Sequence, residues 1–577
     1  MPITREKGVR HFSTVKGSGT FFRKWCLTPF LVLLCWAAPA QAATLYWVGA
    51  DGAPTSVASN WSTANPMGCG YGNAAAAPGQ ADVAVFNPGC GSGATVNNAW
   101  TVHGLHLRAG YTGTITQAAA VIVGTGDFVQ DGGAWRGGKY ALDVNGSFAL
   151  SRGTHTATTG AWTLARNLTH RGGNLVMTGA TVTVDGGDAS ADTTIACAGT
   201  LGGRFVFAKT GSGADITIGS GCAMTVADVN GAFGTITVNG TMRHTGSRFN
   251  VDNNSSEPHL GSVVVNTGGM VTSQGKAMAI EGDLLIKGGK WEAPTAIIVF
   301  DGEEASDDAE VSCNRPIPGM HAIQKSGGGD FTLAPGCDLT VGSISGWFGT
   351  FTNEGTLRHA GSTFKITNQS PPSGLGALIN GPGGTITYAG TDVYVEGNFT
   401  QRGRWDLTGK TIHLIGDSGS YDDGTLTCGT VIQGNVEVNK AGGDVLALAS
   451  HCTIGGNFTR TNGKVANPAS AWAFRVRGNL TVLGADGFGG PNLTVVVEGP
   501  AAVQTIKGTG TLSGILSGPF EVDKSAGVAQ LATAFATGAN CTVVKGVLDL
   551  NGHNLDCGGN FTLTPSGKLF KRGGTVR

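Results

Sequence analysis

Along most of the chain apolar and polar residues alternate with a period of two. Thr181-Val182-Thr183-Val184, Thr235-Ile236-Thr237-Val238 and Val547-Leu548-Asp549-Leu550 are examples. β-Branched and aromatic residues in runs of four to six, bounded by Gly, Asn and Asp, predict short strands. Outside the first 42 residues no run carries helical apolar spacing between caps. The pattern predicts an all-β protein.

The alternation itself repeats. Cys197 recurs as Cys313 and Cys428, at steps of 116 and 115, and Cys222 recurs as Cys337 and Cys452, at steps of 115. Lys209, Lys325 and Lys440 each lie twelve residues after the first cysteine of a pair. NGTMRHTGSRF (239–249) matches EGTLRHAGSTF (354–364). A fourth, shorter unit contains Lys524 and Cys541. It has Leu512 at the first cysteine position and gains Cys557 instead, as a maintained disulfide requires. The units lie near 167–282, 283–397, 398–478 and 479–577.

Cysteine spacing chooses between two folds. Paired in order, Cys69/Cys90, Cys197/Cys222, Cys313/Cys337, Cys428/Cys452 and Cys541/Cys557 are 21, 25, 24, 24 and 16 residues apart. One coil of a β-solenoid takes roughly 20–25 residues, and coils stack about 4.8 Å apart. Such cysteines stand one above another within disulfide range. The sequence thus predicts a right-handed parallel β-helix, residues 121–577, with an aromatic-rich N-terminal cap over 43–120. The alternative is an array of β-sandwich repeats with hairpin disulfides.

Composition narrows the class. Of 577 residues 96 are Gly, 13% are charged and the net charge is −1. That balance excludes a nucleic-acid partner, which needs a basic surface. Gly fits sharp corners. Residues 1–42 read as an export signal: a basic leader, the apolar run 30–38, and Ala40-Gln41-Ala42 before a cleavage point. That run is too short to span a bilayer, and no later segment is long and apolar enough. The expected location is secreted or at the cell surface, where disulfides persist.

The segments FEVDKSAGVAQLATAF and GVLDLNGHNLDCGGNFTLTPSGKL, within 520–569, resemble repeats of large secreted bacterial β-solenoid proteins. LYWVGADG, NWS and ADVAVFN, within 45–87, resemble the segment ahead of such repeats. The resemblance is to filamentous-haemagglutinin-like or autotransporter-passenger-like surface proteins. It implies adhesion or a stalk. No C-terminal barrel signature or anchor is visible. The chain stops at RGGTVR where the first unit continues past RGGNLV, so a fragment, or end-to-end assembly with another chain, is expected.

Three acidic loops are the candidate chemistry: 185–197, 301–313 and 416–428. Asp192, Asp308 and Asp423 each precede a cysteine by five residues, and the middle loop adds Asp301, Glu303, Glu304 and Asp307. Carboxylates spaced by Gly and Ser suit calcium; the alternative is a solvated turn in which Asp bonds its own backbone. No other cofactor and no catalytic residue is expected. A polysaccharide lyase or glycoside hydrolase is the alternative function, but such a site normally occurs once, and these acids recur. The repeat lysines read as solvent-facing turn residues. Arg243-His244 and Arg358-His359 read as solvated strand positions, with a polar ligand face as the alternative. The expected partners are a surface polysaccharide or another cell surface.

Overall fold

In this computed structural model the residues described are 42–577, except 71, 188–190, 212, 275–276, 370–373, 389, 391, 417–421, 442–443, 467, 485–486 and 509–515. The segment read as an export signal, as far as Gln41, and Leu512 therefore lie outside the described residues. Where the sequence alternates, the structure buries every second residue. In Thr235–Val238 the Ile and Val side chains point inward and the two Thr side chains outward. The strands then pair in parallel with the coil before and the coil after. One ladder runs Leu168, Ile195, Ile218, Val238, Val265, Ile286, each in register with the next. Its five steps span one sequence unit, so a unit is five coils.

Parallel strands one coil apart exclude the sandwich array, whose neighbours pair antiparallel. The described residues form a β-solenoid of about 22 turns. They include one short 3₁₀ turn, Ala58–Asn60, and no α-helix, so no helix there is long and apolar enough to cross a membrane. The residues of the cap share the same ladder, since Thr44–Tyr46 pair in parallel with Val83–Val85. An antiparallel pairing lies beside it, Trp47 against Trp61. Trp47, Trp61, Phe86, Trp100 and Tyr111 pack ring to ring there, with centroids 5.2–5.9 Å apart.

Five disulfides join Cys69–Cys90, Cys197–Cys222, Cys313–Cys337, Cys428–Cys452 and Cys541–Cys557. The three repeat disulfides have Cα separations of 4.8, 4.7 and 5.0 Å, the distance between stacked coils.

The interior is not uniformly apolar. Asn353 Nδ2 donates to Asn380 Oδ1 (2.9 Å), and Asn380 Nδ2 to Gln401 Oε1 (3.3 Å). These three stacked, buried amides stand where the preceding unit has Val238, Val265 and Ile286. The two bonds between them supply partners that burial would otherwise deny to Asn380 Oδ1 and Gln401 Oε1.

Candidate functional site

The acidic loops are built around lysine. Lys209, Lys325, Lys440 and Lys524 are at most 2% exposed, which corrects the expectation that they face solvent. Lys325 Nζ donates to the carbonyls of Asp301 (2.7 Å), Glu281 (3.3 Å) and Asp307. Lys440 Nζ donates to those of Glu396 (2.7 Å), Ile415 (2.9 Å) and Asp422. Lys209 Nζ donates to Ala165 O (3.2 Å), Thr193 Oγ1 (2.8 Å) and Ala191 O. Carbonyls 18 and 44 residues back recur in all three. An ammonium with three donors satisfies three carbonyls that turn inward at a corner. The spacing survives in sequence because two coils must supply the cage.

Each lysine also dictates a glycine one coil later. A Cβ on Gly231 would lie 2.0 Å from Lys209 O, and one on Gly346 1.8 Å from Lys325 O. On Gly463 and Gly546 it would lie 2.6 and 2.5 Å from Cβ of Lys440 and Lys524. All four have φ between +86° and +150°.

Charge differs between cages. Burial pulls the Lys325 ammonium down to about 8, opposed by Asp307, Asp301, Glu281 and Asp308. Burial does the same to Lys440, against Asp422, Asp444, Asp423 and Glu396. In the first unit Ala191 and Ala165 stand where Asp307 and Glu281 stand in the second. Burial raises the Glu281 carboxyl to about 7, against the Asn253 N–H, with Asp307, Asp252 and Asp301 adding to the rise.

The candidate calcium ligands are dispersed among backbone tasks. Asp192, Asp308 and Asp423 accept the N–H of Asp215 (3.0 Å), Asp330 (2.8 Å) and Val445 (2.6 Å), each one coil on. Asp307 accepts the N–H groups of Glu303 and Glu304, both at 2.8 Å. Asp301 joins the Lys325 cage through its carbonyl, while Glu303 and Glu304 are exposed. Among the described residues no group of three His, Cys, Asp or Glu side chains is placed to hold a metal ion. Asn167, Asp283 and Asn398, at the strand starts, accept the N–H of Thr194, Glu310 and Thr425 at 2.7–2.8 Å. Asp192, Asp283, Asp308 and Asp423 therefore stitch coil to coil, while Asp307 holds its own loop.

His244 and His359 are buried, which corrects their reading as solvated strand residues. Their Nε2 atoms lie 2.9 Å from the carbonyls of Arg248 and Thr363, and their rings meet Phe249 and Phe364. Burial lowers both pKa values. Two other buried histidines, His155 and His321, are lowered by burial to about 3 and about 4.

The arginines before His244 and His359 point outward. Register puts Thr225, Arg243, Thr272 and Glu292 in one outward row, one per coil. Thr340, Arg358, Thr387 and Asp406 form the equivalent row in the next unit. Both rows end at a gap in the ladder. Asn174–Val176, Lys290–Glu292 and Arg404–Asp406 pair with the coil before, and among the described residues with no strand after. Grooves open at the second and third gaps. One, of about 840 Å³, is lined by Arg243, Thr272, Gln274, Glu292, Thr295 and Pro318, among others. The other, of about 600 Å³, is lined by Arg402, Arg404, Asp406 and Gln433, among others.

No protein-family model matches the chain, and no curated protein or solved structure is significantly similar to it.

Proposed function

We propose that the protein is an exported scaffold displayed at or beyond the cell surface, which adheres to a surface polymer and does not cleave it. The observation that carries this reading is the use made of the acids. A glycoside hydrolase needs two carboxylates facing each other across a bound sugar. Here Asp192, Asp308 and Asp423 recur unit by unit, and each holds the backbone of the next coil. Repeated acids spent on coil-to-coil contacts suit a stiff display surface. The five disulfides suit an oxidising compartment.

The test is incubation of the full chain with a panel of surface and wall polysaccharides. Retention of the protein without new reducing ends or unsaturated sugars is expected. Release of either product would replace this reading with the enzymatic one.

A further inference from the structure

The two outward rows differ at one informative place. In the second, Asp338 stands diagonal to Arg358 and takes its guanidinium in a fork, Nε to Oδ1 at 2.9 Å and Nη2 to Oδ2 at 2.7 Å. In the first, the residue equivalent to Asp338 is Ala223. Arg243 makes no ion pair or hydrogen bond among the described residues, and it is exposed on the wall of the larger groove. The same fold thus offers one guanidinium already occupied and one left open.

The rest of that groove narrows the ligand. Thr272, Thr295 and Gln274 supply hydroxyl and amide groups that both donate and accept. Pro318 supplies an apolar face. Glu292, two coils from Arg243 or about 10 Å, accepts hydrogen bonds and repels anions. A ligand with one anionic group and many hydroxyls fits this lining. A polymer with an anion at every position, such as a sulfated chain or a nucleic acid, meets Glu292. A planar carboxylate matches the free guanidinium fork in two parallel hydrogen bonds.

We infer that the groove beside Arg243 binds a carboxylated polysaccharide, with the uronate carboxylate on Arg243 and sugar hydroxyls on Glu292 and Thr272. This rests on the adhesive reading above and gives it a ligand class.

The test uses the full chain on immobilised deacylated gellan, which carries one uronate in every four sugars, neutral dextran and dextran sulfate. Gellan is expected to retain the protein most strongly. Arg243→Ala should weaken that retention about tenfold or more, the value of a charge-assisted pair. Ala223→Asp should do the same with the arginine still present, because it copies the Asp338 pair. Arg243→Lys, which keeps charge but loses the fork, should fall between. Melting curves establish that each variant is folded, and Ala223→Asp keeps the test open if Arg243→Ala is not. Equal retention of wild type, Arg243→Ala and Ala223→Asp on gellan overturns the site. So does equal or stronger retention on dextran or dextran sulfate, though the adhesive reading then survives. Failure to be retained by these polymers or by the wider polysaccharide panel overturns both.

Discussion

Lys325 donates from its buried ammonium to the carbonyl of Asp301, 2.7 Å away and one coil below. Replacing it with Met keeps the apolar stem and removes the donor. Three carbonyls and the carboxylates of Asp301 and Asp307 then lose their cation. Lys325→Met is expected to cost about 3–5 kcal/mol, as for other broken buried pairs. Lys209→Met, where Ala191 and Ala165 replace two of the acids, should cost about 1–3 kcal/mol. Denaturant unfolding of the two variants gives the comparison, and equal losses would contradict the electrostatic part of the account.

Gly346 carries φ +131°, and its Cβ would sit 1.8 Å from Lys325 O. Gly346→Ala is expected to destabilise by about 3 kcal/mol or more, through steric clash added to backbone strain. Gly268 is the control. It has φ +85° with nothing within 4 Å of a Cβ, so Gly268→Ala should cost only about 1 kcal/mol.

The Cys313–Cys337 disulfide closes a separation of 24 residues. Replacing both cysteines with Ala should cost about 3 kcal/mol in the chain-entropy model. Hydrogen exchange should rise chiefly in the flanking coils, because each coil touches mainly its neighbours. Uniform acceleration along the chain would argue against that locality.

His155 packs among Phe128, Phe148 and Trp162, with Nδ1 3.0 Å from Gln130 Oε1. Burial lowers its folded pKa from 6.5 to about 3. The unfolded chain therefore binds the proton first. The stability that follows is complete above about pH 6.5 and is lost as pH falls toward 3, by about 1.4 kcal/mol per pH unit. His155→Leu should lack this term. The difference in unfolding free energy between wild type and variant, followed with pH, should shrink across that window; a constant difference would refute it.

Among the described residues, lysine ammoniums already take loop carbonyls that could ligate calcium. Neither a chelator nor millimolar Ca²⁺ is expected to move the melting temperature of the full chain. A rise with Ca²⁺ that Asp308→Asn abolishes would restore calcium to these loops.

The coil was legible in the sequence because burial has period two and the unit recurs with its cysteines. The lysine cages were legible as spacing but not as chemistry. Lys325 keeps the alternation of His321 and Ile323, buried at every second residue, and Lys440 keeps that of Val436 and Val438, so the period of two already puts both inward. What hid this is residue type, because an unpaired ammonium is not expected in a core. A lysine beside glycines also reads as a surface turn unless the carbonyls two coils away are known. The same applies to Asn353, Asn380 and Gln401. Their signal was the replacement of Val238, Val265 and Ile286 at matching places in the unit, visible only once the ladder is drawn. Arg243 stood out only as half of a repeated pair. Its open guanidinium became meaningful when Asp338 was seen to fill the other one.

The gaps in the ladder have a mechanical consequence. Coils on either side of each gap lack one of their strand pairings, at Lys290–Glu292 and its two counterparts, so tension along the stack has less to break on that side. The coil on the far side of each gap is tied covalently to the one beyond it, by Cys313–Cys337 at the second gap and Cys428–Cys452 at the third. Pulling therefore widens a slot without letting the neighbouring coil peel away. Two of these slots adjoin the polar grooves, so force on the protein would change the width of its own recesses.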